Sequence, residues 1–366
     1  MRIGIVAPPW LAVPPAAYGG TEEVIDNLAT GLQDLGHEVR LFTVGESTCP
    51  VPREYLYPAG SEPMGEGVAE AAHVLAAYEA FAGVDIVHDH TILGPLLAGS
   101  RGIRRPPTVV TNHGPFTAPT RRLFAEIARH SSIVAISHSH ARSAGVPVAA
   151  VIHHGIDLQV HRPGPGDGGY LLFVGRMCAD KGAHHAVRVA KGAGRQLVIV
   201  AKMREPGERA YFEKEVRPLL RPGDELLAEL PVAARLELMR HAAALLNPIT
   251  WAEPFGLVMA EALAAGTPVL AFPNGAAPEI VDDGQTGFLC RDEKDMIAAV
   301  GRVPQIHRDR CRAAAEQRFA AERMVADHER LYRRILLRPG DRACERAAGQ
   351  GDPVPDGGGR VLARHS

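Results

Sequence analysis

The sequence predicts an α/β protein of two domains, each built on a parallel sheet that helices cover on both faces. At 366 residues, of which 46% are hydrophobic, the chain is long for a single core. Strand-like and helix-like runs alternate along most of its length, as is typical of parallel sheets. A stretch with no side chain suited to a core, Arg162-Pro-Gly-Pro-Gly-Asp-Gly-Gly169, divides this alternation in two. We therefore place the first domain at residues 1–163 and the second at residues 168–303.

The first domain opens with a strand and a well-marked helix. Thr21 offers a cap to a helix that we expect to run to Leu35 and end at Gly36, and Glu22 and Glu23 place acids in its first turn, where the helix dipole favours them. The strands predicted in this domain are Arg2–Ala7, Glu38–Thr43, Asp85–His88, Thr108–Asn112, Ile133–Ile136 and Ala150–Ile152.

The second domain repeats the pattern. Its predicted helices begin near Lys181, Glu208, Val232 and Pro254. Its predicted strands are Tyr170–Val174, Gln196–Ala201, Glu225–Ala228, Ala244–Asn247 and Pro268–Ala271. Residues 304–337 predict one or two further helices broken near Pro304, and residues 339–366, rich in Gly, Pro, Arg and Asp without periodicity, predict a disordered tail.

Polar motifs follow the predicted strands at their carboxyl ends. Gly19 and Gly20 come after the first strand, His113 after Thr108–Asn112, and Arg176 after Tyr170–Val174. Open α/β sheets bind their ligands outside the carboxyl ends of the strands. Two such sheets facing each other would therefore share one ligand-binding cleft.

The most informative pair of residues is Glu253 and Glu261. Glu253 directly precedes a helix predicted to start at Pro254, and Glu261 lies eight residues further on, about 12 Å along a helix axis. Between them, the first-turn amides of Phe255, Gly256 and Leu257 form a predicted anion site. An anion site flanked by two carboxylates suits a nucleotide sugar, which has a hydroxyl-rich group on each side of its diphosphate. A capping Glu253 and a solvated Glu261 form the plainer alternative, but Glu261 is surrounded by apolar residues and needs a partner.

Arg176 and Lys181 are the cations predicted to meet the diphosphate. They flank a turn between a strand and a helix, where both can point at one group of anionic oxygens. Arginine offers a planar fork of donors and lysine a compact charge. Each cation alone could equally lie on the surface.

Together these motifs resemble those of retaining glycosyltransferases of family 4, which have the GT-B fold of two Rossmann-like domains facing a central cleft. The resemblance spans roughly residues 1 to 335 and rests on several motifs in the expected order. Each motif alone is weak. They are Pro14-Pro15-Ala-Ala-Tyr-Gly19-Gly20-Thr-Glu22, His153-His-Gly155-Ile-Asp157, Phe173-Val-Gly175-Arg176 with Lys181-Gly182, Trp251 to Gly266 with its two glutamates, and Gly275-Ala-Ala-Pro-Glu279 through Gly284-Gln-Thr-Gly287.

The resemblance implies roles for the donor residues. Glu261 would accept hydrogen bonds from the ribose hydroxyls and Glu253 from those of the transferred sugar. His113 would reach the donor sugar near the reacting carbon, and the Gly19-Gly20 loop would bring backbone amides to the phosphate or the acceptor.

On the acceptor side the resemblance implies less. His88, His90 and Ser137 would lie near the acceptor, and a hydrogen-bonded pair at a strand end explains His88 and His90 equally well. The segment 304–337 would pack back toward the first domain.

The implied reaction retains the configuration of the sugar and needs no metal ion and no cofactor. The co-substrate would be a nucleoside-diphosphate sugar of the UDP or GDP type. No Asp-x-Asp of the kind that holds a diphosphate-bound metal follows a strand, and no second acid is required as a nucleophile, unlike in glycosidases. Ala201 and Ala228 stand where glycine is frequent in the family, beside the expected base pocket, so the base stays open.

Composition excludes several classes of protein. The net charge of −2 with no long basic run argues against nucleic-acid binding. The five scattered cysteines predict a reducing compartment. Met1-Arg-Ile-Gly-Ile-Val-Ala7 enters a strand directly, and no apolar stretch is long enough for a membrane span, so we expect a cytoplasmic protein.

The acceptor is the least determined partner. A small or a lipid-linked hydroxyl compound fits, with residues 50–70, Arg101–Arg105 and Arg121-Arg122 as candidate walls. Arg121, Arg122 and Arg129 make only a marginal basic patch, so membrane contact is expected to be peripheral at most. A homodimer stays open.

Several other functions are partly compatible with the sequence. A sugar-nucleotide epimerase or a non-catalytic sugar-nucleotide-binding relative could share the fold, and a glycan phosphorylase would need a pyridoxal-binding lysine that we cannot identify. The 17 histidines, with pairs such as His138/His140, His153/His154 and His184/His185, suggest a metal-binding protein, but no cysteine joins them. No Gly-x-Gly-x-x-Gly of a dehydrogenase follows the first strand.

Overall fold

The computed structural model describes residues 1–17, 19–98 and 106–337 of the chain. The predicted acceptor segment Arg101–Arg105 and the predicted tail at residues 339–366 lie outside the described residues.

The first sheet has seven parallel strands in the order β3-β2-β1-β4-β5-β6-β7. The elements that build it, in chain order, are β1 (Arg2–Val6), α1 (Gly20–Asp34), β2 (Glu38–Thr43), β3 (Arg53–Tyr55), α2 (Gly67–Ala80), β4 (Ile86–Asp89), α3 (Leu93–Ala98), β5 (Thr108–Thr111), α4 (Ala118–Ile127), β6 (Ser131–Ala135), α5 (His138–Ala144) and β7 (Ala150–Val151).

The second sheet has six parallel strands in the order β10-β9-β8-β11-β12-β13. Its elements are β8 (Leu171–Arg176), α6 (Ala183–Gly192), β9 (Leu197–Lys202), α7 (Pro206–Tyr211), β10 (Glu225–Leu227), α8 (Val232–His241), β11 (Ala244–Asn247), α9 (Leu257–Ala264), β12 (Val269–Ala271), α10 (Ala277–Ile280), β13 (Gly287–Leu289) and α11 (Glu293–Val300), after which α12 (Arg308–Arg318) and α13 (Ala321–Leu336) complete the described chain.

Each sheet has its own hydrophobic core. In the first domain β1 is central and pairs with β2 and β4, with Ile3 opposite Val39 and Ile86. In the second domain β8 pairs with β9 and β11, and Phe173 is buried among apolar side chains. Strands buried on both faces read as continuous apolar runs, which explains why the sequence reveals them.

The last helix connects the two domains. Helix α12 packs on α9 of the second domain, whereas α13 packs on α1 of the first. The buried face of α13 consists of Met324, Val325, His328, Leu331 and Tyr332, a spacing that forms one helical stripe. A Cβ on Gly31 of α1 would lie 2.5 Å from Val325 Cγ2, so only glycine allows this close approach.

The break between the last two helices is not where the sequence predicted it. Pro304 lies in a short 3-10 turn, Val303–Gln305, ahead of α12, and the helices separate at Phe319 and Ala320. There the backbone of Ile156 accepts a hydrogen bond from Ala321 N and donates one to Phe319 O. The segment that leaves the first domain at Ile156 therefore lies beside the segment that returns to it at Phe319 to Ala321.

The glycine-rich linker is held against the second domain. Its backbone amides at Gly164, Gly166 and Gly168 donate to carbonyl oxygens at the ends of α9 and α8, and Arg308 Nε donates to Gly164 O at 2.8 Å. The absence of core side chains, which marked this stretch as a linker, permits the close backbone contacts.

The predicted parallel α/β architecture is confirmed, with most strands within one or two residues of their predicted bounds. The first helix begins at Gly20 with Gly19 as its N-cap, not at a Thr21 cap. The short strands β3 and β13 were not predicted. Across the residues described here, no helix combines the length and apolarity that crossing a bilayer requires.

Candidate active site

A cavity of about 400 Å³ lies between the two domains. It opens at the carboxyl ends of both sheets, as parallel α/β domains lead one to expect. Its first-domain wall includes Pro8, Trp10, Leu11, Met64, Gly19 to Glu23, His113, Ile136 and His154, and its second-domain wall includes Phe173 to Arg176, Lys181, Val200, Lys202, Glu229, Leu230, Arg235, Asn247, Ile249, Glu253 to Val258 and Glu261.

Every donor residue predicted from the sequence lines this cavity. Gly19 and Gly20 form the start of α1, and a Cβ on Gly20 would lie 2.8 Å from Leu257 Cδ1 of the opposite domain. Arg176 ends β8, and Lys181 follows it in a 3-10 turn closed by Gly182. Glycine is required at this last position, because its φ is 77° and a Cβ would lie 2.1 Å from Pro248 O.

The loop that carries Glu253 differs from its prediction. Pro254 does not start the helix: α9 begins at Leu257, and Gly256 is its N-cap with φ 97°. Only the second half of the Glu253–Glu261 spacing is helical, so the predicted separation of about 12 Å along one helix axis does not hold. The first free amides of α9 lie after Gly256, and Phe255 contributes its backbone while its side chain is buried.

Contacts from both domains fix this loop. Ala276 N donates to Glu253 O at 3.0 Å, and a Cβ on Gly275 would lie 2.2 Å from the same oxygen. From the first domain, Ser137 Oγ donates to Pro254 O at 2.7 Å. The backbone of Glu253 is thereby anchored independently of its side chain.

Glu253 and Lys181 form an ion pair at the cavity wall. Lys181 Nζ lies 2.7 Å from Glu253 Oε2, and both side chains are largely buried. The same ammonium lies 5.8 Å from the ring centre of Trp251. A cation expected to meet phosphate thus holds the carboxylate expected to meet the transferred sugar.

Glu261 also lines the cavity and is buried, with a partner that the sequence did not reveal. Arg235 of α8 lies 2.9 Å from Glu261 Oε2 and 4.0 Å from Glu23 Oε2. Burial, followed by the charge of Glu261, raises the pKa of Glu23 to about 7, against the opposing influence of Arg235 and His161. No motif singles out Arg235, since a lone arginine on a helix is usually a surface residue.

His113 lines the cavity, as does His154. Its Nε2 lies 2.8 Å from His90 Nδ1, and its ring is 5.1 Å from that of His154. Burial lowers the pKa of His113 to about 3. At neutral pH it is therefore an uncharged hydrogen-bonding group rather than a cation.

Behind His113 lies a row of three further histidine rings, those of His90, His88 and His328. The ring centres of His88 and His90 are 4.1 Å apart, and those of His88 and His328 are 4.9 Å apart. Burial lowers the pKa of His88 and of His90 well below the usual value, and that of His328 to about 3. The row was not predicted, because α13 brings His328 from the far end of the chain.

The structure does not bring the three predicted acceptor residues to the cavity wall. His88 is fully buried, with Tyr332 Oη 2.6 Å from Nδ1 and Thr111 Oγ1 2.8 Å from Nε2. His90 lies behind His113, and Ser137 caps α5 by accepting from His140 N. The plainer interpretation, a hydrogen-bonded pair of His88 and His90, is wrong: the two rings are in contact, but their hydrogen bonds go to other residues.

An acid that does not line the cavity holds the two domains together. Glu279, from the last quoted motif, accepts from His138 N at 2.8 Å and Ser139 N at 2.6 Å at the start of α5, and lies 2.9 Å from His153 Nε2. Burial raises its pKa, but these hydrogen bonds outweigh that effect and lower it to about 2.

The two alanines that depart from the family pattern do not fill the cavity. Ala201 is buried in the core of the second domain, and Ala228 is exposed away from the lining. The wall at this end comes from Val200, Lys202 and Leu230.

Comparison with known proteins accounts for both domains. Residues 18–160 match the family described as Glycosyltransferase Family 4, and residues 159–323 match Glycosyl transferases group 1. A glycogen synthase of Mycobacterium tuberculosis is 28% identical across 90% of this chain and 91% of its own. A D-inositol 3-phosphate glycosyltransferase of Mycobacterium leprae is 34% identical, over 38% of this chain and 36% of its own.

Solved structures share the fold. AviGT4, a glycosyltransferase involved in avilamycin A biosynthesis, is 26% identical with a TM-score of 0.68 over 92% of this chain and 98% of its own. Sucrose-phosphate synthase from Thermosynechococcus elongatus is 20% identical with a TM-score of 0.78 over 92% and 99%. Anabaena HepE, in complex with UDP and glucose, is 18% identical with a TM-score of 0.72 over 90% and 98%. The predicted GT-B fold is confirmed.

Proposed function

Because the chain belongs to the GT-B glycosyltransferases of family 4, we propose that it transfers a sugar from a nucleoside-diphosphate sugar to a hydroxyl group of an acceptor. We further propose that the sugar keeps its anomeric configuration and that no metal ion takes part. The observation that carries this proposal is the arrangement of charge in the interdomain cavity, whose wall combines Arg176, Lys181 and the N-terminus of α9 with two ion-paired glutamates, Glu253 and Glu261.

The diphosphate would lie between Arg176, Lys181 and the first amides of α9. Breaking the bond to the sugar increases negative charge on the departing phosphate, and fixed donors stabilise that charge when no metal does so. Lysine, arginine and helix amides supply such donors. Lys181, already held by Glu253 at 2.7 Å, needs little rearrangement to meet an oxyanion beside that pair.

The two ends of the donor would follow from this placement. The ribose would lie at Glu261 and the base toward Val200, Lys202 and Leu230, while Glu253 would accept from hydroxyls of the transferred sugar. The complexes of HepE with UDP and with UDP-glucose support a donor of this class. The proposal leaves the base open between donors of the UDP and GDP types.

The reaction would take place on one face of the sugar. The bond from the anomeric carbon to the phosphate oxygen breaks, and the bond to the acceptor oxygen forms on the same face. The acceptor's proton passes to the departing phosphate oxygen, so no side chain has to serve as a base. His113, uncharged at neutral pH, would hydrogen-bond the donor sugar near the reacting carbon.

The acceptor would enter along the first-domain wall. Trp10, Leu11 and Met64 lie there, and the C–H face of a sugar ring packs favourably on an indole. Small and lipid-linked hydroxyl compounds can both present such a ring.

Thermal unfolding with a panel of ligands tests the donor proposal. The purified protein is melted in EDTA with UDP, GDP, ADP, TDP and their common sugar conjugates. A ligand at about 100 times its Kd stabilises the folded state by about 2.7 kcal/mol, and we expect one base to stand out. A flat response to every nucleotide would contradict the proposal.

The stereochemical course needs a separate measurement. Proton NMR of the first product formed from an α-linked donor should show an α-linkage, and transfer should continue in EDTA. A β-linked first product or a loss of transfer in EDTA would overturn the retaining or the metal-independent part, respectively.

A further inference from the structure

Four charged or polar side chains meet where α1 of the first domain faces the second domain. Glu23 comes from α1, Glu261 from α9 and Arg235 from α8, and His161 directly precedes the glycine-rich linker. One ligand atom each of Glu23, His161 and Glu261 lie within 4.8 Å of one another. Glu23 and Glu261 line the cavity from opposite domains, so a ligand placed between them would contact both.

His161 has a buried ring nitrogen in this cluster that no described residue satisfies. Its side chain is only 1% exposed. Nδ1 lies 2.8 Å from Asp157 O and donates to that carbonyl oxygen. Nε2 is buried without a hydrogen-bond partner and lies 3.9 Å from Glu23 Oε1. A buried polar atom without a hydrogen-bond partner is costly, and a hydroxyl group, which both donates and accepts, would satisfy it.

The arrangement favours hydroxyl groups over a cation. Arg235 already lies 2.9 Å from Glu261 and 4.0 Å from Glu23, and its positive charge opposes a metal ion at the same point. A vicinal diol carries two O–H donors on neighbouring carbons. Hydrogen bonds of about 2.7 Å from such a pair would reach two acceptors separated as these are.

We propose that Glu23 is a donor-binding residue of the first domain, which holds the vicinal diol of the nucleotide's ribose together with Glu261 of the second. This inference rests on the proposed function, because it assumes that a nucleotide occupies the cavity. It makes the ribose the point where the donor contacts both domains, and it makes the enzyme select ribonucleotides over deoxyribonucleotides.

A pH dependence follows from the groups that face Glu23. Burial and the charge of Glu261 raise the pKa of Glu23 to about 7, Asp26 on the same helix adds to this, and Arg235 and His161 oppose it. Two hydroxyl donors favour the ionised carboxylate. Nucleotide binding should therefore release protons near neutral pH, and affinity should fall as the pH drops below about 7.

Calorimetry on the intact protein tests the proposal. UDP, GDP and ADP are titrated first, and the tightest of them is compared with its 2′,3′-dideoxy form. Two charge-assisted hydrogen bonds predict that the wild type prefers the ribonucleotide by about 100-fold, and Glu23→Ala should reduce this preference to about tenfold. Asp26→Asn, which removes an acid one turn away on α1, should leave the preference unchanged.

Glu23→Gln separates a structural role from binding. With UDP-glucose, whose phosphates do not titrate near neutral pH, wild-type binding should release protons in buffers of different ionisation enthalpy, and Glu23→Gln should release none. An unchanged ribose preference in Glu23→Ala would overturn the proposal. So would stabilisation of the wild type by Zn²⁺ alone that His161→Ala abolishes, because the cluster would then be a metal site. Absence of binding by all three nucleotides would instead contradict the proposed function.

Discussion

The ammonium of Lys181 lies 2.7 Å from Glu253, across a sequence separation of 72 residues. The pair joins the turn after β8 to the loop before α9, the two segments expected to contact the donor on either side of its anomeric carbon. Each charge holds the other in a fixed orientation, so little side-chain entropy would remain to be lost when a donor binds. Preorganisation of this kind would suit the metal-independent transfer proposed above.

Glu253→Ala should reduce transfer by a factor of about 100 or more, since it removes a fixed hydrogen-bond acceptor beside the reacting sugar. The fold should survive, because Glu253 is anchored through its backbone oxygen, which accepts from Ala276 N. Steady-state kinetics and thermal unfolding check both statements. Glu213→Ala, which removes an exposed acid paired with Arg217, is the matched control. Near-normal turnover in Glu253→Ala would remove this residue from the site.

Arg235→Ala should destabilise the protein by about 3 kcal/mol, because it leaves the buried Glu261 carboxylate without its partner. Arg235→Ala combined with Glu261→Gln should cost clearly less than the sum of the single changes, since the uncompensated charge is gone. Urea unfolding of the two single variants and the double variant measures the coupling. Additive effects would mean that the two side chains act independently.

Glu279→Gln should weaken the contact between the domains, by about 2 kcal/mol, through loss of charge-assisted hydrogen bonds to the start of α5. The pKa of Glu279 is lowered to about 2 in the folded protein. Its contribution is therefore fully present above its ordinary pKa of 4.5 and is lost as the pH falls toward 2. Unfolding at pH 7 and pH 3 should show a difference between variant and wild type that shrinks at the lower pH. Glu293→Gln, whose partners His185 and Arg188 belong to the same domain, is the control.

The row of buried histidines predicts acid sensitivity. Burial lowers the pKa of His113 and His328 to about 3, whereas the unfolded chain binds these protons near 6.5. The free energy of unfolding should therefore fall as the pH drops below 6.5. His328→Phe should make the slope between pH 6.5 and pH 5 shallower, and His130→Gln, at an exposed site, should not. Melting temperatures measured between pH 6.5 and pH 5 test this prediction. The same dependence of melting temperature on pH in the wild type and in His328→Phe would contradict it.

The strands and the donor residues were accessible from sequence because their signals are local. Apolar runs such as Ala244–Asn247 mark buried parallel strands, and Arg176 and Lys181 follow a strand end directly. The start of α9 was misplaced because proline commonly opens helices, whereas here the helix begins after Gly256, which adopts a positive φ.

Residues brought together by long-range packing were out of reach. Arg235 joins Glu261 only once α8 lies beside α9, and Tyr332 meets His88 only because α13 returns to the first domain. The sequence around each of these residues contains no local pattern that indicates its distant partner. The break at Phe319 and Ala320 belongs to the same class, since it is set by the backbone contact with Ile156.

Calorimetry of nucleoside diphosphates with the wild type and with the Arg176→Ala/Lys181→Ala variant tests most directly whether the diphosphate lies between these two cations. UDP, GDP and ADP are titrated in EDTA, and the variant's melting temperature is measured to establish that it is folded. Loss of two charge-assisted contacts predicts an affinity at least about 100-fold lower for the nucleotide that binds the wild type. Unchanged affinity in the folded variant would place the diphosphate elsewhere and contradict the assignment of this cavity.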